Sequence, residues 1–492
     1  MKLEDYERKN LIWKKILLIK PNSRVINTNI HQARFDAPPL NLTYIASYLV
    51  DLDVEVEILD AKVKNLSYKQ IRKKIEKYNP DIVGISVFLS LTINICYDIA
   101  KIVKLINPHC TVVFGGRHPT AIPDETLNVD EVDIVVRGEG ELTFRELIIK
   151  GSPENVEGVS YKSNGKIIHN LDRELIKDFD KIRSPARFLT KSNKYKMFTL
   201  RFETVQTSRG CPHSCKFCYT PIFNKGLWRP RSVENIISEL KMISHDRKIT
   251  DIFFIDDNFT ANTKRIEKLC ERIIESKKNK EIKDLKFIAQ TRVDSVVKSP
   301  QMVERMAKAG FFAVFIGIES ANDEILKDIR KGFTFKKVLK AVKILHERNL
   351  IIIGNMIIGI DLNATEKDLK KEINFMQKID LDVLNFTTLI PFPGTPILKE
   401  LEEKNLVITK DWSKYTFLNS VIKTYQLSPK KLQELKFNSF KKNNYLNKGI
   451  WFTSRIIKSR GLLFILNPIR NFKVFYSFVK MNIRLRKFLK MN

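Results

Sequence analysis

The sequence predicts an α/β protein with two successive parallel sheets and a helical, basic carboxyl-terminal extension. Short apolar runs alternate with longer amphipathic segments in both halves of the chain, which is typical of repeated β/α units. The 492 residues are enough for two such domains. We expect domains at residues 1–150 and 199–400, a linker with a β-hairpin at 151–198, and the extension at 401–492.

The first half of the chain predicts a doubly wound, flavodoxin-like sheet. Five apolar runs alternate with helical stretches, and ligands of such sheets bind at the carboxyl ends of the strands. The predicted strands are residues 11–19, 54–59, 81–87, 111–114 and 132–136.

The second half repeats the pattern with six runs and predicts a partial (β/α)6 barrel. Between the runs, apolar residues recur at helical spacing. The predicted strands are residues 205–207, 252–255, 287–290, 313–318, 351–358 and 383–389, and the predicted helices are 233–244, 263–277, 300–308, 335–348 and 366–379.

Three of the six cysteines, Cys211, Cys215 and Cys218, stand in a C-x3-C-x2-C run that indicates a metal site. Thiolates select zinc, copper(I) or iron-sulfur clusters. A structural zinc site needs a fourth ligand, usually from a second pair downstream, and no such pair follows. We expect His213, inside the loop, to be a spacer. Three cysteines can instead hold three irons of a [4Fe-4S] cluster and leave the fourth iron open.

This loop resembles the CxxxCxΦC motif of the radical S-adenosylmethionine (SAM) superfamily, with Phe217 as the aromatic residue and Tyr219 beside the last cysteine. The resemblance implies that SAM binds the open iron. It further implies that the reduced cluster cleaves SAM to a 5′-deoxyadenosyl radical, with electrons from a ferredoxin or flavodoxin.

Polar residues follow three of the predicted barrel strands, where the chemistry of such barrels is found. The superfamily resemblance implies contacts to the SAM amino group after the second strand, a guanidinium on the SAM carboxylate after the third, and contacts to the ribose after the fourth. The alternative for each carboxylate is a solvated strand end or a helix N-cap. The candidates are, in that order, Asp256, Asp257 and Asn258; Arg292; and Glu319 and Ser320.

The amino-terminal half resembles the cobalamin-binding domain attached to many radical SAM enzymes. Residues 37–42, 86–88, 115–119 and 137–141 carry the resemblance. It implies that Ser86 offers a hydroxyl to the cobalamin base. Gly115 and Gly116 would let the backbone approach the nucleotide tail without a Cβ clash.

One feature of many cobalamin domains is missing from the sequence. They supply a histidine to cobalt from a D-x-H-x-x-G run, which occurs nowhere in this chain. His31 is the only histidine in that neighbourhood, and it lacks the flanking Asp and Gly. The resemblance therefore implies a base-off cobalamin with no protein histidine on cobalt.

The net charge of +30 does not by itself indicate nucleic-acid binding. No arginine-rich stripe with interleaved aromatics occurs in the barrel region, so a nucleic-acid partner is disfavoured. Residues 441–492 hold 13 Lys and Arg and no Asp or Glu. These amphipathic segments either contact an anionic membrane surface or cover the barrel.

No apolar run is long enough for a membrane span and no cleavable signal is present, so we expect a cytoplasmic protein, with peripheral membrane contact left open. The cluster also favours a reducing compartment. Cys96, Cys110 and Cys270 lie in apolar contexts and are expected to be buried thiols.

These features predict a cobalamin-dependent radical SAM methyltransferase that acts on an unactivated carbon of a small-molecule, lipid or peptide substrate. Three alternatives stay open: a cyclase or rearrangement enzyme without net methylation, a tRNA methylthiotransferase, and a cobalamin-binding sensor without catalysis. The second usually requires three further amino-terminal cysteines, but only Cys96 and Cys110 precede the motif.

Overall fold

The computed structural model describes residues 11–23, 36–190, 194–197, 200–246, 249–416 and 418–442. Position 31 and the basic tail beyond residue 442 lie outside these ranges, so the expectations for them stay predictions. The chain divides into two compact units. The first comprises residues 11–23, Pro38–Lys194 and the short segment Asp411–Ser413, and the second comprises residues 36–37, Tyr195–Lys410 and those from Lys414 onward.

The first unit is built on a seven-stranded sheet of order β2-β1-β3-β4-β5-β6-β7. The first five strands are parallel, in the order of a doubly wound fold. This confirms the predicted fold class. The antiparallel hairpin of β6 and β7 extends this sheet from β5. The strands are β1 Lys15–Lys20, β2 Glu55–Asp60, β3 Ile82–Ser86, β4 Thr111–Gly115, β5 Ile134–Val136, β6 Val159–Ser163 and β7 Lys166–His169.

The central strands of this sheet are largely apolar and buried. All five residues of β3 are buried, a continuous pattern typical of parallel strands. Helix α2 begins at a capping box in which the Ser67 hydroxyl accepts from Gln70 N. The helices are α1 Leu40–Ser47, α2 Tyr68–Tyr78, α3 Ile93–Ile106, α4 Arg117–Ala121, α5 Pro123–Leu127 and α6 Gly140–Lys150.

The second unit contains another seven-stranded sheet, of order β16-β15-β14-β13-β12-β9-β8. Its strands from β9 to β16 are parallel, and β8 pairs antiparallel at the edge. This confirms the predicted partial barrel. The strands are β8 Lys196–Met197, β9 Leu200–Val205, β12 Asp251–Phe254, β13 Lys286–Thr291, β14 Phe311–Glu319, β15 Ile351–Ile358 and β16 Val383–Thr388.

Helices follow the barrel strands close to the predicted positions. A short antiparallel pair, β10 Ser208–Gly210 with β11 Trp228–Pro230, was not predicted. The helices are α7 Thr220–Phe223, α8 Val233–Asp246, α9 Thr263–Lys278, α10 Val293–Lys298, α11 Pro300–Ala309, α12 Asp323–Asp328, α13 Phe335–Glu347, α14 Glu366–Met376, α15 Pro396–Glu403 and α16 Pro429–Lys442.

Stacked phenylalanines form part of the core of the second unit. The Phe254 ring lies 4.8 Å from Phe259, 5.4 Å from Phe287 and 5.7 Å from Phe311, centroid to centroid. Such pairs stabilise beyond the area they bury. Within the parts of the chain that the structure describes, we find no helix of the length and apolarity needed to cross a bilayer.

Candidate functional site

The three-cysteine loop leaves the short sheet of β10 and β11. Gly210 ends β10 with φ +88°, and a Cβ there would lie 1.9 Å from the Leu227 carbonyl oxygen. Only glycine is compatible with this approach. The backbone at Gly210 therefore packs directly against the backbone at Leu227, and Cys211 is the next residue in the chain.

Two N–H donors from other strand ends reach the cysteine sulfurs. Asn258 Nδ2 donates to Cys211 Sγ at 3.7 Å, and Arg292 Nη1 donates to Cys215 Sγ at 3.9 Å. Hydrogen bonds to cysteine sulfurs stabilise thiolate charge and tune the potential of iron-sulfur clusters. A set of three thiols with amide and guanidinium donors fits a cluster of this kind.

Cys211 and Cys218 are held as thiols by their surroundings. Burial raises the pKa of both, although the His213 backbone N–H at Cys211 and the Thr220 N–H at Cys218 oppose it. Binding of iron would therefore displace protons from them. No three His, Cys, Asp or Glu side chains converge on a single ion in the described ranges. A [4Fe-4S] cluster does not need such convergence, because each thiolate binds a different iron.

Asp256 lies beneath the site and its carboxylate is already bonded. The side chain is fully buried and accepts from Thr207 N at 3.1 Å, Thr207 Oγ1 at 2.8 Å and Ser208 Oγ at 2.5 Å. Burial raises its pKa, and these bonds oppose the rise. The structure thus places Asp256 as an anchor between the ends of β9 and β12.

Asp257 and Tyr219 lie nearer to the cysteine loop. Asp257 Oδ1 accepts from Thr220 Oγ1 at 2.9 Å, two residues beyond Cys218. The Tyr219 ring is buried and lies 6.0 Å from the Phe223 ring, which places it against helix α7. Asp257 is half-buried, whereas Asn258 is buried with its amide on Cys211.

Arg292 was predicted to clamp the SAM carboxylate, but its guanidinium already has a carboxylate partner. Nε and Nη2 donate to the two Asp294 oxygens at 3.0 and 3.4 Å. Nη2 also donates to the Lys331 carbonyl. This geometry makes Arg292 a bridge between helix α10, Cys215 and the loop that carries Lys331.

Glu319 projects from a distortion at the end of β14. Its φ is +72°, and the register with β15 shifts between Gly317 and Glu319. Such backbone strain is concentrated at functional sites. The carboxylate folds back over Gly317, where a Cβ would lie 2.3 Å from Glu319 Oε1.

Lys331, which sequence reasoning missed, is the partner of Glu319. Its Nζ lies 2.7 Å from Glu319 Oε1, and both side chains are more than nine-tenths buried. Asn355 Nδ2 donates to the other carboxylate oxygen at 3.4 Å. Lys331 Nζ also lies 5.6 Å from the centre of the Phe217 ring, within cation–π distance.

The loop around Lys331 forms a wall of the cysteine loop. Lys216 N donates to the Ile329 carbonyl at 3.2 Å, and Cys215 Sγ donates to the Arg330 carbonyl at 3.6 Å. Arg330 has φ +56° and Gly332 has φ +79°. No sequence motif marks this loop. The lysine at 331 next to Gly332 was the one feature that could have indicated a functional residue here.

Ser320 is fully buried and does not face open space. Its Oγ donates to Glu372 Oε1 at 2.6 Å, and the same oxygen accepts from Ala321 N at 2.6 Å. Glu372, on helix α14, therefore closes the turn after β14. The structure brings Ser320 to the predicted strand end but uses its hydroxyl in the fold.

In the first unit, Ser86, Gly115 and Gly116 meet at the carboxyl ends of β3 and β4. Asn41 Nδ2 donates to Ser86 Oγ at 2.7 Å. Gly116 has φ +112°, and a Cβ would lie 2.6 Å from the Val87 carbonyl oxygen, whereas Gly115 has no neighbour that close. Glycine is therefore required at position 116 for two reasons: the positive φ, and the close approach of the backbone that follows β3.

Both units match known families. Residues 26–148 match the B12 binding domain and residues 205–376 match the Radical SAM superfamily. The chain is 37% identical over 431 residues to an uncharacterized methyltransferase of Pyrococcus horikoshii, covering 86% of this chain and 90% of the relative. It is 26% identical over 400 residues to the anaerobic magnesium-protoporphyrin IX monomethyl ester cyclase of Rubrivivax gelatinosus, covering 78% and 70%.

The fold is shared with a solved structure. The cobalamin-dependent S-adenosylmethionine radical enzyme OxsB, with aqua-cobalamin and S-adenosylmethionine bound, aligns with a TM-score of 0.69 at 18% identity, over 97% of this chain and 80% of that chain. A likeness at this identity shows the fold alone.

The doubly wound unit and the partial barrel with its three-cysteine loop define a class, the radical SAM enzymes with a B12 binding domain. This chain belongs to that family. Its cofactors are accordingly a [4Fe-4S] cluster, SAM and cobalamin. The chain is an enzyme and, like others of its superfamily, needs a reductant and a substrate.

Proposed function

We propose that this enzyme transfers a methyl group to an unactivated carbon, with Cys211, Cys215 and Cys218 as the cluster ligands. The observation that carries the proposal is the three-cysteine loop, whose sulfurs accept from two N–H donors, in the same chain as a doubly wound sheet of the kind found in B12 binding domains. The relative named as a methyltransferase, which is matched over most of its length, supports the choice of reaction.

The cofactors, when bound, supply a 5′-deoxyadenosyl radical from SAM and a methyl group from cobalamin. The chain's own residues hold and orient them. Asn258 and Arg292 fix the sulfurs of Cys211 and Cys215 through N–H donors. Glu319 accepts from Lys331 and Asn355, and its remaining lone pairs can accept ribose hydroxyls.

In the SAM site we retain Asp257 and Glu319 as direct contacts. Asp257 is half-buried and lies beside the cysteine loop, where its Oδ1 accepts from Thr220, two residues beyond Cys218. We assign Asp256, Arg292 and Ser320 to positioning, because hydrogen bonds within the protein already engage their polar groups. Tyr219 lines the loop beside Cys218.

For cobalamin, we propose that Ser86 and Asn41 act as a pair. Their side chains are linked by a 2.7 Å hydrogen bond at the carboxyl end of β3. Ligands of doubly wound sheets bind at such ends. Gly115 and Gly116 provide the side-chain-free backbone next to them.

The test uses SAM with an isotopically labelled methyl group. The anaerobically purified enzyme, loaded with iron, sulfide and cobalamin, is incubated with reductant and candidate small-molecule, lipid and peptide substrates. We expect label in the product, together with both 5′-deoxyadenosine and S-adenosylhomocysteine. Deoxyadenosine formation and substrate turnover without label in the product would contradict methyl transfer.

A cyclisation or rearrangement is the second candidate reaction, because a relative matched over 78% of this chain is a cyclase. The labelling experiment separates the two. A tRNA methylthiotransferase is less well supported. Cys96 and Cys110, which precede the loop, are both buried, and burial raises the pKa of Cys110 to about 12.

A further inference from the structure

The segment Asp411–Ser413, late in the chain, is part of the first unit. Asp411 Oδ1 accepts from Ser413 N and Oγ at 3.1 and 2.6 Å, which holds the segment in a turn. Trp412 is buried, with 8% of its surface exposed. Its Nε1 donates to Glu125 Oε1, on helix α5, at 2.5 Å. The indole is therefore held at one edge by a charge-assisted hydrogen bond.

The Trp412 ring packs against His118. The ring centroids lie 5.6 Å apart and the planes meet at 78°, an edge-to-face arrangement. His118 is 2% exposed, and burial lowers its pKa to about 4, so the ring is neutral near pH 7. Its Nε2 is buried with no hydrogen-bond partner among the described residues.

The other nitrogen of His118 connects two loops. Nδ1 lies 2.9 Å from Ser90 Oγ, and Ser90 begins the short helical turn after β3. His118 itself follows Gly115 and Gly116 after β4. The two strand ends are also joined directly, because Val87 N donates to the Gly115 carbonyl at 2.8 Å. A shift of His118 would therefore move both loops.

The two segments that His118 and Ser90 join begin directly after Ser86, the last residue of β3, and after Gly115, the last residue of β4, and the second includes Gly116. The inference therefore rests on the cobalamin site proposed above. We propose that Trp412 is a positioning residue for cobalamin binding. It braces His118, and through His118 and Ser90 it fixes the spacing between the ends of β3 and β4. Trp412 need not touch the cofactor to act in this way.

The test is a titration of the full-length, iron-loaded protein with hydroxocobalamin. Trp412→Ala removes the brace. Since an aromatic pair contributes roughly 0.5–1.5 kcal/mol, we expect the Kd for cobalamin to rise about 2- to 13-fold. Trp412→Phe keeps an aromatic ring and should restore most of the affinity. Phe188→Ala, an aromatic truncation in the same unit at a side chain 75% exposed, is the matched control.

Iron content and reductive formation of deoxyadenosine separate this effect from general damage. Both should be unchanged in Trp412→Ala. The inference is overturned if Trp412→Ala binds cobalamin like the wild type. It is also overturned if Trp412→Ala and Trp412→Phe lose the same amount of cobalamin affinity and both variants also lose iron and melt at a lower temperature. That result would indicate general damage to the fold. A wild-type protein that binds iron but no cobalamin would instead overturn the proposed cobalamin site.

Discussion

Lys331 illustrates how a single buried charge organises the cysteine loop. Its ammonium pairs with Glu319 at 2.7 Å, its side chain lies near Phe217, and its carbonyl accepts from Arg292. Three elements that are distant in sequence thus meet at one residue. Gly317 provides the space for the ion pair.

The first prediction concerns Lys331→Met. The change leaves the buried Glu319 carboxylate without its cation, and breaking a buried ion pair from one side costs about 3–5 kcal/mol. We expect a lower urea midpoint for the apoprotein.

The double variant Lys331→Met/Glu319→Gln removes both charges and should recover part of that loss. Lys277→Met is the control, since Lys277 is a largely buried lysine whose ammonium bonds the Leu285 and Ala309 carbonyls and whose ionic partner, Asp284, has a side chain 57% exposed rather than buried. A double variant no more stable than Lys331→Met would contradict the ion-pair explanation.

At the residue scale, the sequence predicted identities better than roles. The spacing of Cys211, Cys215 and Cys218 was enough to predict cluster ligands, because such spacing has few other uses. It could not show that Arg292 donates to Asp294, or that Asp256 accepts from Thr207 and Ser208. Those partners are set by which strand ends become neighbours, and composition alone does not encode that.

At the scale of elements, the turn after β14 depends on Glu372. Burial raises the pKa of this carboxyl, against the hydrogen bonds from Ser320 and Ala321. A group with a raised pKa favours folding while it is protonated. Its contribution is full below the unfolded pKa of about 4.3 and is lost as pH rises through the raised pKa.

The second prediction follows from this sign. Glu372→Gln keeps an oxygen that can accept both hydrogen bonds and removes the charge, so the variant should gain stability relative to the wild type as pH increases above about 4.3. Melting temperatures between pH 4.5 and 8 measure the difference. Glu372→Ala removes the acceptor of the buried Ser320 hydroxyl and of the half-buried Ala321 N–H and should cost about 1–3 kcal/mol at every pH. If the difference in melting temperature between Glu372→Gln and the wild type does not change with pH, the raised pKa of Glu372 does not affect stability and the prediction is wrong.

The third prediction concerns the strand ends of the first sheet. Gly116→Ala places a Cβ 2.6 Å from the Val87 carbonyl at a φ of +112°. We expect a loss of roughly 1–3 kcal/mol from strain and a lower melting temperature by circular dichroism.

Gly165→Ala is the control for Gly116→Ala. Gly165 also has a positive φ, of +72°, but a Cβ there would meet nothing within 4 Å. It should cost only the conformational penalty, about 1 kcal/mol. Equal losses in the two variants would show that the contact with Val87 is unimportant.

Most elements were predictable because their apolar periodicity is strong. The sequence predicts β15 with the bounds observed, Ile351–Ile358, since this run is largely apolar and is followed by Gly359. The pair β10 and β11 was missed because strands of three residues carry no periodic signal. The hairpin of β6 and β7 was expected within a linker, whereas it extends the first sheet from β5.

At the scale of the whole molecule, the residues proposed to bind cobalamin lie in the first unit and the proposed cluster ligands lie in the second. The fourth prediction is that replacing Cys211, Cys215 and Cys218 together by alanine abolishes iron binding and deoxyadenosine formation but leaves the cobalamin Kd within about twofold of the wild-type value. The reason is that the proposed cobalamin residues Ser86, Asn41 and Gly116 belong to the first unit, whereas the three cysteines belong to the second.

Iron and corrinoid content per chain measure both effects in the triple cysteine variant. Cys270→Ala, a change at a buried cysteine of helix α9, is the control and should retain both cofactors. Persistence of stoichiometric iron in the triple variant would remove the three cysteines as ligands.

The sequence by itself determined the fold class and the family and predicted the cluster ligands, because periodicity and close cysteine spacing are local properties of the chain. The tertiary structure alone decided which polar groups are hydrogen-bonded within the fold, such as Asp256 to Thr207 and Ser208. It also paired Lys331 with Glu319 and inserted Trp412 into the first unit. Those outcomes depend on contacts between residues far apart in sequence, and such contacts exist only after the strands have been placed side by side.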